Sequence, residues 1–288
     1  MEGYWKEKEK LVNQALSGFL KSENKNWGEL LRWMRYSTLA KGKRIRALLV
    51  LITAEMLGKD PKKFLPSACG LEMIHTSSLI LDDLPCMDDA VLRRGKPALH
   101  RVSGEANAIL SSYALLMKGI ELIAYNAKLL RVNVLQFERI IKSITLAVGI
   151  EGISLGQFLD LKYSDFNYSR EEIEKVHLYK TASLFISTLE ITGILAGIGE
   201  KKLRTLKNYG KNLGLAFQIR DDFLEKRREK QGKYSLKDGH RPNYRRLLGK
   251  EKTRNNFLRY KQKAIFNLRR FGKKAEKLKA LFSFLDMR

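Results

Sequence analysis

The chain has 288 residues, a formal net charge of +24 and 44% hydrophobic residues, enough apolar material for a sizeable core. Its two cysteines, Cys69 and Cys86, have no metal-type spacing and are too few for a disulfide framework, which points to a reduced, cytoplasmic setting. Met1 to Glu7 carry no apolar signal core, the run Ala47 to Met56 contains Glu55 and is too short to span a bilayer, and no lipidation signal occurs.

Only five prolines occur and Val/Ile/Thr alternation is scarce, whereas apolar residues recur at three- and four-residue spacing. The pattern predicts one all-α domain over residues 1–288. Amphipathic helices are expected over about 5–20 and 43–57. Pro61 suits the first turn of a third, running through Leu71 and Ile74 to Asp82. Another begins near Gly104-Glu105. Ser169 followed by Glu172 forms a capping-box pattern and opens a helix to about Leu195. A helix from about Lys201 carries the segment Phe217 to Glu225, Gly232 to Pro242 reads as a loop, and basic helices finish the chain.

From Lys226 to Arg288 there are 22 Lys or Arg against five Asp or Glu. Such a tail suits an anionic membrane surface, a nucleic acid or a polyanionic substrate, or is a solvated face of surface helices. Aromatic residues form no regular stacking platform there, which lowers the nucleic-acid reading; no nucleic-acid partner is expected.

Against this basic background, carboxylates concentrate in two places. The first is Leu81-Asp82-Asp83-Leu84-Pro85-Cys86-Met87-Asp88-Asp89. Asp82 shares a helix face with Ser78 and His75, and Pro85 should end the helix near Asp83. Two aspartates at a helix C-terminus oppose the macrodipole at a cost of roughly 0.3–1 kcal/mol each, a conflict that bound Mg²⁺ would remove. The turn through Pro85 would return Asp88 beside Asp82. Alone, the cluster also fits an acidic loop capping a neighbouring helix. The second is Phe217-Gln218-Ile219-Arg220-Asp221-Asp222-Phe223-Leu224-Glu225. Here Asp221 and Glu225 fall on one helix face with Gln218 a turn earlier, and like charges so spaced repel unless a cation sits between them. Pairing with Lys226, Arg227 and Arg228 is the alternative. Mg²⁺ is typically held by one or two carboxylates plus substrate phosphate oxygens, so two facing sets would suit a diphosphate bridged by several ions.

Three basic groups fit the same chemistry: Gly42-Lys43-Arg44-Ile45-Arg46, Arg93-Arg94-Gly95-Lys96, and Lys180-Thr181 inside an apolar helix. Guanidinium binds phosphate bidentately, while Lys acts as a point charge.

With these residues, and with Glu72-Met73-Ile74-His75-Thr76, Gly104-Glu105-Ala106-Asn107-Ala108 and Gly156-Gln157-Phe158-Leu159-Asp160-Leu161 in the same order, the sequence resembles the trans-isoprenyl diphosphate synthases, the farnesyl and geranylgeranyl diphosphate synthase family. The likeness runs from about Lys41 to Gly249. It implies a helical bundle around a deep central cavity, a homodimer, and several Mg²⁺ ions per active site. By motif match, Asp82, Asp83 and Asp88 would hold Mg²⁺ on an allylic diphosphate, and Asp221, Asp222 and Glu225 would form the opposite metal set. Arg93, Lys180 and Lys233 would contact that diphosphate. Gly42, Lys43, Arg46, His75 and Arg94 would bind isopentenyl diphosphate, and Thr181 and Gln218 would lie near the developing cation. Ser77 and Ser78 precede Asp82 by about 6–7.5 Å of helix, where farnesyl-producing relatives carry an aromatic block. Small residues there imply a longer, C20 product, geranylgeranyl diphosphate.

Several positions depart from the family pattern. Ala90 replaces an acidic residue, Leu81 a common His, Ser112-Tyr113 a Gly-Asp, Glu225 an Asp, and Arg241 a Lys. Four alternatives stand beside the synthase: a farnesyl-producing enzyme, a terpene synthase on the same fold, a non-catalytic partner subunit, and a nucleic-acid-binding protein. Intact Lys43, Arg46 and His75 argue against the terpene synthase, and the retained aspartates argue against the partner subunit.

Overall fold

A computed structural model of the chain describes residues 2–163, 168–224, 234–235 and 242–285. Glu225 and Lys233, both singled out above, lie outside the described residues, as does most of Gly232 to Pro242. The chain is all-α: thirteen α-helices are described, with a single small sheet whose strand order is β2-β1-β3. Its backbone groups into two compact units, each assembled from separated stretches.

The first unit takes residues 2–51, 61–131 and 234–235. α1 (Glu2–Phe19) buries Trp5, Val12 and Leu16 at helical spacing. α2 (Gly28–Thr38) follows. α3 (Ile45–Met56) differs from the amphipathic helix that the spacing predicts, because every residue from 44 to 54 is buried, as befits a helix apolar all round. Pro61 opens a 3₁₀ turn, Pro61–Phe64, before α4 (Leu65–Asp82). β1 (Ala90–Arg93) and β2 (Lys96–Pro97) form an antiparallel hairpin, and β3 (Tyr234–Ser235) pairs with the free edge of β1. α5 (Leu99–Ser103) leads to α6 (Glu105–Leu129), the longest helix.

α4 and α6 pack backbone to backbone. A Cβ on Gly70 would lie 2.5 Å from the Gly119 carbonyl oxygen, and one on Gly119 would lie 2.6 Å from that of Gly70. Only two glycines permit this approach. Glu105–Leu129 and the stretch Val134–Lys162 are long and apolar enough to cross a bilayer by composition; α6 spends much of its apolar side on α4.

The second unit takes residues 52–60, 132–224 and 242–285. α7 (Val134–Val148) begins with a reciprocal capping box between Asn133 and Gln136. α8 (Ile153–Lys162) follows. The predicted box at Ser169 is present: Ser169 Oγ accepts from the Glu172 amide, and Glu172 Oε2 accepts from the Ser169 amide. The long helix it opens is split into α9 (Arg170–Val176), one π-helical turn (His177–Ala182) and α10 (Ser183–Leu195). α10 packs on α7 and on α11 (Glu200–Phe223). α12 (Tyr244–Asn267) lies along α11, burying Thr253, Phe257, Tyr260 and Ala264. After a 3₁₀ stretch (Leu268–Ala275), α13 (Glu276–Ala280) offers its Leu278 carbonyl to the buried Tyr209 hydroxyl at 3.0 Å.

Candidate active site

In the first unit, α4 ends at Asp82, with Asp83 as its C-cap. The following turn doubles back. The Asp88 amide donates to the Asp82 carbonyl (2.9 Å), and the Ala90 amide donates to that of Asp83 (3.1 Å), launching β1. Asp88 is therefore beside Asp82 in space. Asp82 is half-buried and Asp88 buried. Asp83 is buried too, and Arg93 on β1 grips it: Nε donates to Oδ1 at 2.8 Å and Oδ2 at 3.0 Å, and Nη2 also pairs with Oδ1. Burial opposes the Arg93 charge, but the Asp83 carboxylate, aided by Asp82 and Asp88, outweighs it and raises the guanidinium further above its ordinary range.

About three turns back along α4, Glu72 sits 3.7 Å from Arg44 and 3.8 Å from Arg94. Arg44 is further held by Asn13 Oδ1 and the Ala40 carbonyl, both at 2.8 Å. Gly42 lies under the Arg94 guanidinium; a Cβ there would be 3.1 Å from Cζ. Arg46 is buried and Lys43 exposed at the start of α3. His75, on the same helix, lies within electrostatic reach of these arginines. Burial first, then the charges of Arg46, Arg94, Arg93 and Arg44, hold its pKa well below the ordinary histidine value, so the imidazole is neutral at neutral pH. Arg93, Arg94, Lys96, Tyr36 and Thr76 line a cleft against α4. Ser77 faces α6, its hydroxyl 2.9 Å from that of Ser112. Ser78 is partly exposed and bonds back to the His75 carbonyl.

In the second unit, Lys180 and Thr181 stand on the π turn, an irregularity frequent at functional sites. α8 approaches this turn through Gly156, whose Cβ would fall 2.1 Å from the Lys180 amide nitrogen. One helical turn on, Asp160 accepts from Lys180 Nζ at 2.6 Å. Thr181 Oγ1 donates to Gln218 Oε1 (2.7 Å), and Gln218 Nε2 donates to Asp222 Oδ1 (3.1 Å). The other oxygen of Asp222 accepts from the Tyr244 amide at 2.9 Å and lies 3.2 Å from His177 Nε2. Asp222 is 2% exposed, so the fold occupies both its oxygens. Asp221 is different: its side chain is 31% exposed, with Arg220 at 3.3 Å.

Sequence reasoning quoted Gly156 and Asp160 as motif letters without assigning them a task; their four-residue spacing was the available signal. It missed Arg44 and Glu72 as partners, and His177 and Tyr244 altogether. Among the described residues, no three His, Cys, Asp or Glu side chains converge into a ready-made metal cluster.

The profile of the family described as Polyprenyl synthetase matches residues 28–277. The chain belongs to the polyprenyl synthetase family. As a polyprenyl synthetase it is a prenyltransferase of the type that makes short prenyl diphosphates. Geranylgeranyl pyrophosphate synthase 12, chloroplastic, of Arabidopsis thaliana is 38% identical over 266 residues, 88% of this chain and 73% of that protein. Geranylgeranyl pyrophosphate synthase 6, mitochondrial, from the same plant is 35% identical over 98% of this chain and 88% of its own length. Among solved structures, an FPP/GFPP synthase from Zymomonas mobilis superposes with a TM-score of 0.87 at 29% identity, covering 98% of this polyprenyl synthetase and 97% of that chain. A geranyltransferase from Helicobacter pylori, complexed with magnesium and isoprenyl diphosphate, gives 0.85 at 27% identity, covering 98% and 96%.

Proposed function

We propose that this prenyltransferase condenses isopentenyl diphosphate head-to-tail with an allylic diphosphate, with Mg²⁺, and that its main product is geranylgeranyl diphosphate. The observation that carries the condensation reading is the cluster around His75. Arg44 and Arg94 both approach one carboxylate, Glu72, and with Arg46 they set three positive charges beside a neutral imidazole, while Arg93 is paired with Asp83. Such a site suits a second diphosphate, bound bidentately by guanidinium. An enzyme that only ionises an allylic diphosphate has no use for it.

The donor chemistry fits Mg²⁺. Asp82 and Asp88 are brought together by a backbone hydrogen bond, Asp221 is partly exposed, and the remaining ligands for such an ion would be phosphate oxygens and water. Asp82 and Asp88 would hold the ion at the first group and Asp221, with Glu225, at the second. Asp83 and Asp222 matched the metal sets in sequence. Because Arg93 occupies the one and α11–α12 contacts the other, we assign both to anchoring. Bound Mg²⁺ supplies positive charge to a leaving diphosphate.

The protein's own part is to bind, orient and exclude water. Arg93 and Lys180 neutralise the allylic diphosphate, with Lys233 as a further candidate. Gly42 admits Arg94 close to the backbone, and Lys43, Arg46 and His75 complete the isopentenyl diphosphate site. Thr181 and Gln218 hold each other's orientation, presenting oxygen dipoles fixed in advance to the developing cation, which is where preorganisation is worth most. Neutral His75, ringed by arginines, is a poor proton acceptor; the departed diphosphate takes the proton. The small side chain at Ser77 and the names of the plant relatives support C20 over C15.

The same reading includes several Mg²⁺ ions per site and a homodimer, for which α6 offers exposed Ile109, Leu110, Tyr113 and Met117. It also includes a reducing, cytoplasmic compartment, which suits two free thiols, Cys69 buried and Cys86 exposed. The test is product mass after incubation with Mg²⁺, labelled isopentenyl diphosphate and, separately, C5, C10 and C15 allylic diphosphates. A C20 diphosphate is expected. A hydrocarbon without isopentenyl incorporation would replace the condensation reading with a terpene synthase.

A further inference from the structure

The second unit carries a surface for which the condensation chemistry has no use. On α12 the buried stripe Thr253, Phe257, Tyr260 and Ala264 fixes the opposite side as solvent-facing. There, two large apolar side chains stand out: Leu258 at 41% exposure and Phe266 at 61%. They are eight residues apart and about 80° apart around the helix, so both lie on the side away from the buried stripe. Exposed Arg254, Arg259 and Lys263 flank them. Just beyond the helix, the Arg269 guanidinium lies over the Phe266 ring at 4.8 Å, and exposed Arg270 follows.

The neighbouring helix extends the patch. Asn208 and Asn212 of α11 form one wall of an open groove whose other wall is Gln262, Ile265 and Phe266, and Asn212 Nδ2 donates to Asn267 Oδ1 at 3.1 Å. Exposed Arg204 and Lys211 stand one turn to either side of Asn208 on α11. Across residues 242–285, Lys and Arg number 14 against two acidic residues, Glu251 and Glu276. Glu276 is already bonded to Lys279 at 2.7 Å.

We infer that this α11–α12 face is a docking surface for anionic lipid bilayers. Exposed apolar side chains flanked by Lys and Arg are what an interfacial helix presents: the apolar tips enter the headgroup boundary while the cations stay at the anionic surface. Nucleic acid would use the same cations. It is disfavoured because Phe266 is the one large exposed aromatic on the patch, and a single-strand groove needs successive rings on which to stack. The choice of lipid also agrees with an amphiphilic product that must leave into a bilayer. That clause rests on the proposed function; the surface argument does not.

Co-sedimentation of the full chain with vesicles tests this without reference to turnover. Vesicles of phosphatidylcholine with phosphatidylserine should pull the protein down at about 0.15 M salt, and pure phosphatidylcholine vesicles should not. Each basic residue near an anionic surface is worth about a fivefold change in partitioning, so Arg254→Gln/Lys263→Gln/Arg269→Gln should bind about a hundredfold more weakly. Phe266→Ser should weaken binding even at low salt. All four side chains are exposed and outside the catalytic groups, so unchanged isopentenyl incorporation verifies folding. Wild-type protein left in the supernatant, or a triple variant that sediments like wild type, overturns the inference. So does tight binding of a single-stranded RNA that is indifferent to Phe266→Ser while vesicles fail to bind. Loss of condensation activity with vesicle binding intact would sink the proposed function and leave the docking surface standing.

Discussion

Replacing Gly156 by Ala adds a single methyl group where the chain has left room for none. The new Cβ would lie 2.1 Å from the Lys180 nitrogen, 2.4 Å from its Cα and 2.7 Å from its Cβ. Relief to ordinary contact at 3.4 Å requires α8 and the π turn to part by about 1.3 Å. No side chain can rotate away, because two of the three atoms are main chain. Alanine gains about 1 kcal/mol of helix propensity over glycine, while overpacking costs about 1–3 kcal/mol, and a backbone clash belongs at or above the top of that range. A net loss of about 2 kcal/mol follows, or about 3 °C in melting temperature for a chain of this size. The same displacement stretches the 2.6 Å contact between Lys180 and Asp160 beyond hydrogen-bond range. A shift of about 1 Å in a positioning group typically costs about a hundredfold in rate. Differential scanning fluorimetry and single-turnover isopentenyl incorporation measure the two effects together. A Gly156→Ala enzyme as stable and as fast as wild type would refute the reasoning, since it would mean that the approach of α8 does not set the position of Lys180.

Three further outcomes are expected. Asp221→Asn should abolish most condensation with little change in melting temperature. Asp222→Asn, which leaves one of its buried contacts facing a donor, should lower stability by about 1–3 kcal/mol; two variants that behaved alike would contradict the division of labour. Ser77→Phe should force the α4–α6 seam, cost about 1–3 kcal/mol, and shift product mass from C20 toward C15. An unchanged product would place the floor of the pocket elsewhere. For His75, the depressed native pKa means that the unfolded chain binds the extra proton. Stability is then unaffected above about pH 6.5 and falls as pH drops below it, by up to about 1.4 kcal/mol per unit until the native pKa is reached. His75→Gln should remove that component, read as a smaller loss of urea midpoint between pH 7 and 5.5.

Much of this was legible in the sequence. α1, α4, α6 and α11 declare themselves by apolar spacing, and Pro85 marks the end of α4 correctly, with Asp83 at the cap. Other elements were hidden. α8 has Gly156 in its middle, which lowers helix propensity, and it docks through that glycine rather than through an apolar stripe. α3 was expected as a helix over about 43–57, and what stayed hidden is that residues 44–54 are all buried, leaving it no polar face. The π turn that breaks the Ser169–Leu195 helix has no periodic signature at all. The site was half visible. Acidic and basic motifs can be read from spacing, but which carboxylate faces outward depends on tertiary partners. Asp221 and Asp222 are adjacent letters with opposite fates because the Tyr244 amide, 22 residues later, satisfies only one of them.

Lys180 stands paired with Asp160 in the protein by itself. Under the proposed function, a diphosphate that recruits this ammonium would compete with a resident anion, so that capture would in part be exchange. Swapping one anion for another costs less than leaving the ammonium bare, and it could run in reverse. As a finished product slides off, the carboxylate 2.6 Å away reclaims the lysine. On that reading Asp160 would act as an escapement, each release of diphosphate resetting the same two side chains for the next round.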